Sequence, residues 1–306
     1  LGADLLGFHT HDYVQHFLKT VKRVTGYQNN FNLIFTNDRV VKADAFPIGI
    51  DYEKFAEATM LKQTIKEKQK IHNYLGALKL VFSVDRLDYS KGLLNRLKGI
   101  EYFLDHFKEW HGKFVFNMVV VPSRDSIEKY KEIKNELEAT VGRINGKYST
   151  LDWRPIAYQY KSLNFNELVA LYAVSDVALI TPLRDGMNLV AKEYIACQQD
   201  PKYGVLILSE MTGATAELSD ALVINPSDFE EMANAINFAL LMDDNERTLR
   251  IKRMQKRIKR YNVFTWANDI FIQTKQIKQQ QKIMQAKHMN DTNSNKIISA
   301  YRQAKG

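Results

Sequence analysis

The 306-residue chain has one cysteine, Cys197. A single thiol makes neither an intrachain disulfide nor a cysteine cage for zinc, which excludes a disulfide-stapled scaffold. That usage fits a reducing compartment, and a cytoplasmic location is the expectation. No apolar run approaches the roughly 20 residues of a membrane span, so no membrane partner is expected. Acidic residues are outnumbered: 43 Lys and Arg against 35 Asp and Glu give a formal charge of +8. A basic chain suits either nucleic acid or phosphorylated small molecules. The arginine–aromatic repeats of RNA-binding modules are missing, so small molecules are expected and nucleic acid is not. His9 and His11 have no further ligand cluster at matching spacing, so capping or hydrogen bonding is expected of them and no metal. The opening residues LGADLLGF lack both an initiator Met and a basic signal start, from which an internal segment of a longer protein is expected.

What is present alternates. Hydrophobic residues make up 45% of the chain, enough to core one large or two ordinary domains. Ala3–Phe8 reads as a strand, followed by an amphipathic helix through Tyr13, Phe17 and Val21 with Thr10 or Asp12 as its cap. Phe31–Phe35 and Arg39–Ala45 read as two more strands. Pro47 and Gly49 punctuate the chain before a lysine-rich helix from Tyr52 to about Asn73, taken as the link between domains. Strands then follow at Leu78–Val84, Phe114–Val121, Arg154–Tyr158, Val177–Thr181, Gly204–Ser209 and Ala221–Asn225. Helices fall at Lys91–Trp110, Ser126–Leu137, Asn164–Val174, Leu189–Cys197 and Phe229–Leu241. Repeated strand-then-helix units predict a parallel sheet with helices on both faces. The basic run Glu246–Tyr261 reads as a solvated helix face, and the Lys-, Gln- and Asn-rich end as a polar helix fraying into disorder.

Two turns carry chemistry. Arg86 and Lys91 fall in the turn after an apolar strand, ahead of Gly92 and a helix start. Cations at the carboxyl end of a strand in an open α/β sheet make an anion site. The competing structural reading pairs them with Asp85 and Asp88 at the surface. The second turn is Asp185-Gly186-Met187-Asn188-Leu189-Val190, with Glu193 on the helix behind it. Its amides at Met187, Asn188, Leu189 and Val190 can hold a diphosphate, and Glu193 can accept from ribose hydroxyls. Here the structural alternative makes Asp185 a helix cap and pairs Glu193 with Lys192 or Arg184.

The segments VDRLDYSKGLLNRL, VVPSRD, GRINGKY, SDVALITPLRDGMNLVAKEY and FPIGID together resemble the trehalose-6-phosphate synthases, glycosyltransferase family 20. The resemblance runs from Leu1 to about Gln273. It implies an α/β protein of the GT-B type with two Rossmann-like domains, the N-terminal one largely missing. Residues 1–75 would be the end of the acceptor-side domain plus linker, 76–262 the donor domain, 263–280 a C-terminal helix and 281–306 a disordered polar tail. It further implies retaining transfer of glucose from UDP-glucose to glucose 6-phosphate, giving trehalose 6-phosphate and UDP, without a cofactor or metal. By the same resemblance Arg86 and Lys91 hold the diphosphate. Asp185 meets the transferred glucose, and Gly186 through Val190 with Glu193 complete the donor site. Arg124 binds the acceptor phosphate. Attack from the front face would leave Asp185 no role as a nucleophile. A homo-oligomer and a synthase/phosphatase complex are both compatible with this likeness. Two other functions fit the same donor motifs: a non-catalytic regulatory subunit, and a sister transferase using another phosphorylated acceptor such as glycerol 3-phosphate.

Overall fold

A computed structural model describes residues 1–36, 39–123 and 127–304, with side chains through Met284. The chain forms two compact units, Leu1–Ile48 with Phe264–Gly306, and Gly49–Val263.

In the first unit, β1 (Leu5–Phe8) leads into α1 (His11–Thr25), followed by β2 (Asn29–Asn30), β3 (Leu33–Phe35) and β4 (Val40–Ala45). Thr10 caps α1 by accepting from the Tyr13 amide, and Gly26 ends it in the left-handed conformation. Val14, Leu18 and Val21 recur at helical spacing and pack on Ile34, Val41 and Ala43 of the sheet. Strand order is β1-β4-β3-β2, with β1 parallel to β4 and the other pairs antiparallel. His9 reaches the Phe46 carbonyl at 3.4 Å, in line with a hydrogen-bonding role. The helix α10 (Val263–Ala304) lies along this sheet, with Trp266 donating to the Phe46 carbonyl and Gln281 to the Val40 carbonyl. Its backbone stays helical through Ala304, whereas composition predicts a fraying tail from 281. Lys, Gln and Met are good helix formers even where no apolar stripe exists.

The second unit opens with α2 (Tyr52–Ala58) and α3 (Lys62–Leu75). The pattern predicts one linking helix here, and the structure has two, both within the second unit. Ala58 and Thr59 are buried where the chain turns, so α2 can pack on α7 (Leu189–Cys197) while α3 packs on α6 (Phe165–Val174). Neither Pro nor Gly marks that break, so no local signal announces it.

The remaining strands are β5 (Lys79–Arg86), β6 (Phe114–Val121), β7 (Ile156–Tyr160), β8 (Val177–Ile180), β9 (Val205–Ser209) and β10 (Leu222–Ile224). All pair in parallel, in the order β10-β9-β8-β5-β6-β7. The other helices are α4 (Leu93–His106), α5 (Glu128–Tyr148), α8 (Phe229–Leu241) and α9 (Asp244–Arg260). β6, FVFNMVVV, is almost unbroken apolar sequence because helices cover both faces of a parallel sheet. Its Phe114, Phe116, Met118 and Val120 join Leu97, Ile100 and Phe103 of α4 and Met232 and Ile236 of α8 in the main core. Helix α5 runs eleven residues past the predicted end at Leu137. Val141 and Ile144 keep its buried stripe going through the glycines 142 and 146. Its cap is Ile127, without a side-chain cap bond. Along α9, Arg250 pairs with Glu246, Arg253 and Arg257 with Asp220, and Lys259 with Glu53.

Gly49, in FPIGID, lies so close to the chain at Asn262 that an added Cβ would sit 2.5 Å from its carbonyl carbon. Beside it the Val263 amide donates to the Ile50 carbonyl at 3.1 Å. Gly49→Ala is therefore expected to destabilise the protein by roughly 1–3 kcal/mol through overpacking. Gly142→Ala, on an open face of α5, is expected to stabilise it by about 0.5–1 kcal/mol. Urea unfolding of the two variants checks the opposite signs, and equal effects would contradict the close approach.

Candidate functional site

The strand order makes β5 the first strand of a doubly wound sheet. From β5 the chain winds outward through β6 and β7, then crosses over to β8 and winds the other way. The switch point, where ligands bind such sheets, therefore lies between the carboxyl ends of β5 and β8. Both motif turns leave from there. The β5–β8 ladder has only two registered pairs, Val81 with Val177 and Phe82 with Ala178. On its other side β5 pairs with β6 through eight. Past Phe82 the registered pairing between the two central strands stops, and three contacts join the chain beyond it.

The first is between side chains: the Lys91 ammonium donates to Asp185 Oδ2 at 2.6 Å, with both groups about one-seventh exposed. The second is backbone: the Ser90 carbonyl accepts from the amides of Leu183 at 2.8 Å and Arg184 at 3.2 Å. The third is Arg96 on α4, fully buried. It donates to Asp85 Oδ2 at 2.8 Å, to Thr181 Oγ1 at 3.0 Å and to the Lys91 carbonyl at 3.2 Å. Burial pushes the Asp85 carboxyl upward, and the Arg96 guanidinium opposes it.

Between β5 and α4 the chain makes a 3-10 turn at Tyr89–Lys91, capped by Asp88 through the Ser90 amide and hydroxyl. Gly92 then adopts φ +65°, and a Cβ there would meet the Thr181 carbonyl oxygen at 2.6 Å. Only glycine combines that backbone with that approach. Arg86 is the last residue of β5 rather than part of the turn, because the strand runs two residues further than predicted. It is exposed, with no hydrogen bond or ion pair among the described residues. The surface pairing of Arg86 and Lys91 with Asp85 and Asp88 is therefore not what forms. Asp85 takes Arg96, Asp88 caps the turn, and Lys91 takes Asp185.

In the second turn, Asp185 accepts from the Met187 amide at 3.3 Å and from Asn188 Nδ2 at 3.1 Å. The cap of α7 is Asn188, which accepts from the Ala191 amide, and not Asp185. Of the four amides expected to face an anion, Met187 is thus already engaged. Those of Asn188, Leu189 and Val190 have no protein acceptor among the described residues. Gly186 lies between Asp185 and this helix start. The Asp185 backbone is held in turn by the Met211 carbonyl and the Gly213 amide.

Glu193 pairs with neither Lys192 nor Arg184; it accepts from the Tyr172 hydroxyl at 3.1 Å. Burial raises the Glu193 carboxyl above its ordinary value near 4.5, while the Tyr172 bond and the Lys54 charge partly offset this. Burial and then the Glu193 charge push the Tyr172 hydroxyl well up, so it remains a donor. Lys192 is fully buried and donates to Glu217 at 2.6 Å. Arg124 lies outside the described residues. Sequence reasoning missed Arg96, Thr181 and Tyr172. A signal for the first was present, since Arg96 stands four before Ile100 and seven before Phe103, on the apolar stripe of α4. A groove of about 290 Å³ elsewhere, lined by Tyr74, Leu75, Asn117 and Gln159 among others, includes none of these residues.

Comparisons with known proteins identify the family. The model of glycosyltransferase family 20 matches residues 1–276. The chain belongs to glycosyltransferase family 20. Across its whole length this family 20 chain is 43% identical to the bifunctional trehalose-6-phosphate synthase/phosphatase of Thermoproteus tenax, covering 42% of that protein. A solved alpha,alpha-trehalose-phosphate synthase (UDP-forming) from Burkholderia xenovorans, in complex with glucose-6-phosphate, superposes with a TM-score of 0.86 at 37% identity. That match covers 89% of this chain and 60% of the other. The E. coli trehalose-6-phosphate structure bound with UDP-2-fluoro glucose gives 0.85 at 36%, covering 89% and 61%. The fold is thus α/β of the GT-B type. The chain spans about half the length of the curated relatives it matches. Among the described residues no helix is long and apolar enough to cross a membrane.

The buried carboxylate gives a prediction. A raised folded-state value means that the folded protein keeps the Glu193 proton at a pH where the unfolded chain has lost it. This group's contribution to stability therefore falls as pH rises from about 4.5 through the folded value. Glu193→Gln keeps an acceptor for Tyr172 and removes the buried charge. It is expected to unfold at higher urea than the parent at pH 7, with the gain vanishing below pH 4.5. An equal gain at both pH values would contradict the assignment.

Proposed function

We propose that this chain supplies the nucleotide-sugar side of a retaining glucosyltransferase that makes trehalose 6-phosphate and UDP from UDP-glucose and glucose 6-phosphate. The observation that carries the reading is the convergence, at the sheet's switch point, of Lys91, Asp185 and three amides without an acceptor among the described residues. The names of the relatives support it: one is UDP-forming and in complex with glucose-6-phosphate, another is bound with UDP-2-fluoro glucose.

In this reading the Lys91 ammonium, the Arg86 guanidinium and the amides of Asn188, Leu189 and Val190 take the diphosphate. Gly186 and Met187 shape the turn beneath it. Glu193, oriented by Tyr172, accepts from the ribose hydroxyls, and Asp185 from hydroxyls of the glucose. The bond from the anomeric carbon to the β-phosphate oxygen breaks as the acceptor hydroxyl oxygen bonds to that carbon from the same face. The acceptor's proton passes to the departing phosphate oxygen. Negative charge grows on that phosphate, so fixed cations and amides stabilise the transition state more than the ground state. Those cations supply the charge stabilisation without a metal or cofactor, and Asp185 forms no covalent intermediate. Arg124 is assigned to the acceptor phosphate on its motif alone. Nucleotide sugars and sugar phosphates as substrates fit work in the cytoplasm. The bifunctional relative makes a synthase/phosphatase assembly the natural partner to look for.

Calorimetry tests the donor side directly. UDP is expected to bind the chain, more weakly as salt is raised because the attraction is ionic. Lys91→Ala and Arg86→Ala are each expected to weaken it about ten- to a hundredfold, the worth of a charged hydrogen bond. In the intact natural protein the same changes should slow UDP release with glucose 6-phosphate by about two to three orders of magnitude. Undiminished UDP affinity in both variants would contradict the site. Faster release with glycerol 3-phosphate than with glucose 6-phosphate would contradict the acceptor.

A further inference from the structure

We infer that Arg96 is a positioning residue for donor binding: it holds the Lys91 turn against the end of β8 and so sets where the Lys91 ammonium stands. What Lys91 binds rests on the nucleotide reading above; that Arg96 places it rests on geometry alone.

A fully buried guanidinium is costly to desolvate, and one ion pair rarely offsets the cost. Apolar side chains of similar size commonly do better for stability, so a buried arginine is best understood through what its bonds specify. Arg96 makes three, to three separate pieces of chain: Asp85 near the end of β5, Thr181 just beyond β8, and the Lys91 carbonyl in the turn. β5 and β8 share only two registered pairs, so the backbone ladder does not fix their carboxyl ends relative to each other. The planar guanidinium, with donors in fixed directions, does. Lysine offers one charge centre and cannot span the three acceptors. The Lys91 carbonyl is the only acceptor of the three that belongs to a residue of the proposed donor site. Through it Arg96 acts on the residue whose ammonium meets Asp185 at 2.6 Å.

A double-substitution cycle read by UDP calorimetry tests this, using Arg96→Lys, Lys91→Met and the pair together. Arg96→Lys alone is expected to weaken UDP binding about tenfold. Combined with Lys91→Met it should add little, because the group it positions is gone. Amide exchange supplies a readout independent of nucleotide. Arg96→Lys should speed exchange at residues 87–92 while β6 and α8 stay protected. The apolar pair Asp85→Leu with Arg96→Met separates stability from placement: it should fold at least as stably as Arg96→Met alone yet bind UDP no better. Additive losses in the cycle, or unchanged exchange at residues 87–92, would overturn the inference. If the parent chain bound no UDP while Arg96→Lys still loosened that turn, the nucleotide reading would fall and the positioning role would stand.

Discussion

The structure depends on how two parallel strands are kept together after their ladder stops. β5 and β8 are neighbours in the middle of the sheet, yet the helices that follow them depart in opposite senses, and their registered pairing ends at Phe82 and Ala178. A doubly wound sheet necessarily opens a crevice there. Its walls are turns, and turns carry few bonds of their own. In this chain they are joined by the Arg96 guanidinium, by the Ser90 carbonyl and by the Lys91–Asp185 pair. Gly92 allows the approach, since any side chain there would strike the Thr181 carbonyl.

The chemistry follows from that constraint and works against stability. Asp185 and Glu193 are carboxylates kept from full solvent, and burial raises the Glu193 carboxyl. The amides of Asn188, Leu189 and Val190 stand at a helix start with no protein acceptor among the described residues. Arg86 stands exposed at a strand end. A protein selected for stability alone would pair or cap such groups, and elsewhere this one does. Asn164 and Glu167 form a complete capping box on α6, and Arg250 and Arg257 of α9 have acidic partners. Groups left underused in one place are what the proposed anionic partner would engage.

Much of this was legible in the sequence, for reasons that differ by element. β6, α7 and α8 have the predicted limits because apolar runs and helical stripes are local signals. The motif turns could be read as candidate anion sites because Gly, Arg, Lys and a helix start are adjacent in sequence. Long-range partners were not. Nothing near Glu193 points to Tyr172, twenty-one residues earlier, and nothing near Arg96 points to Thr181. The break between α2 and α3 was equally silent, since it is set by which helices those two pack on. The family likeness supplied roles that spacing could not, and those roles remain the proposal that ligand binding tests.

The central claim is that a nucleoside diphosphate lies at the switch point between β5 and β8. Amide chemical-shift perturbation on titrating UDP into the isotopically labelled chain tests it most directly. The account predicts that the largest shifts fall together on the amides of Asn188, Leu189 and Val190 and on residues 86–92, with Glu193 next. Shifts centred instead on the groove at Tyr74, Asn117 and Gln159, with the two turns unmoved, would contradict it.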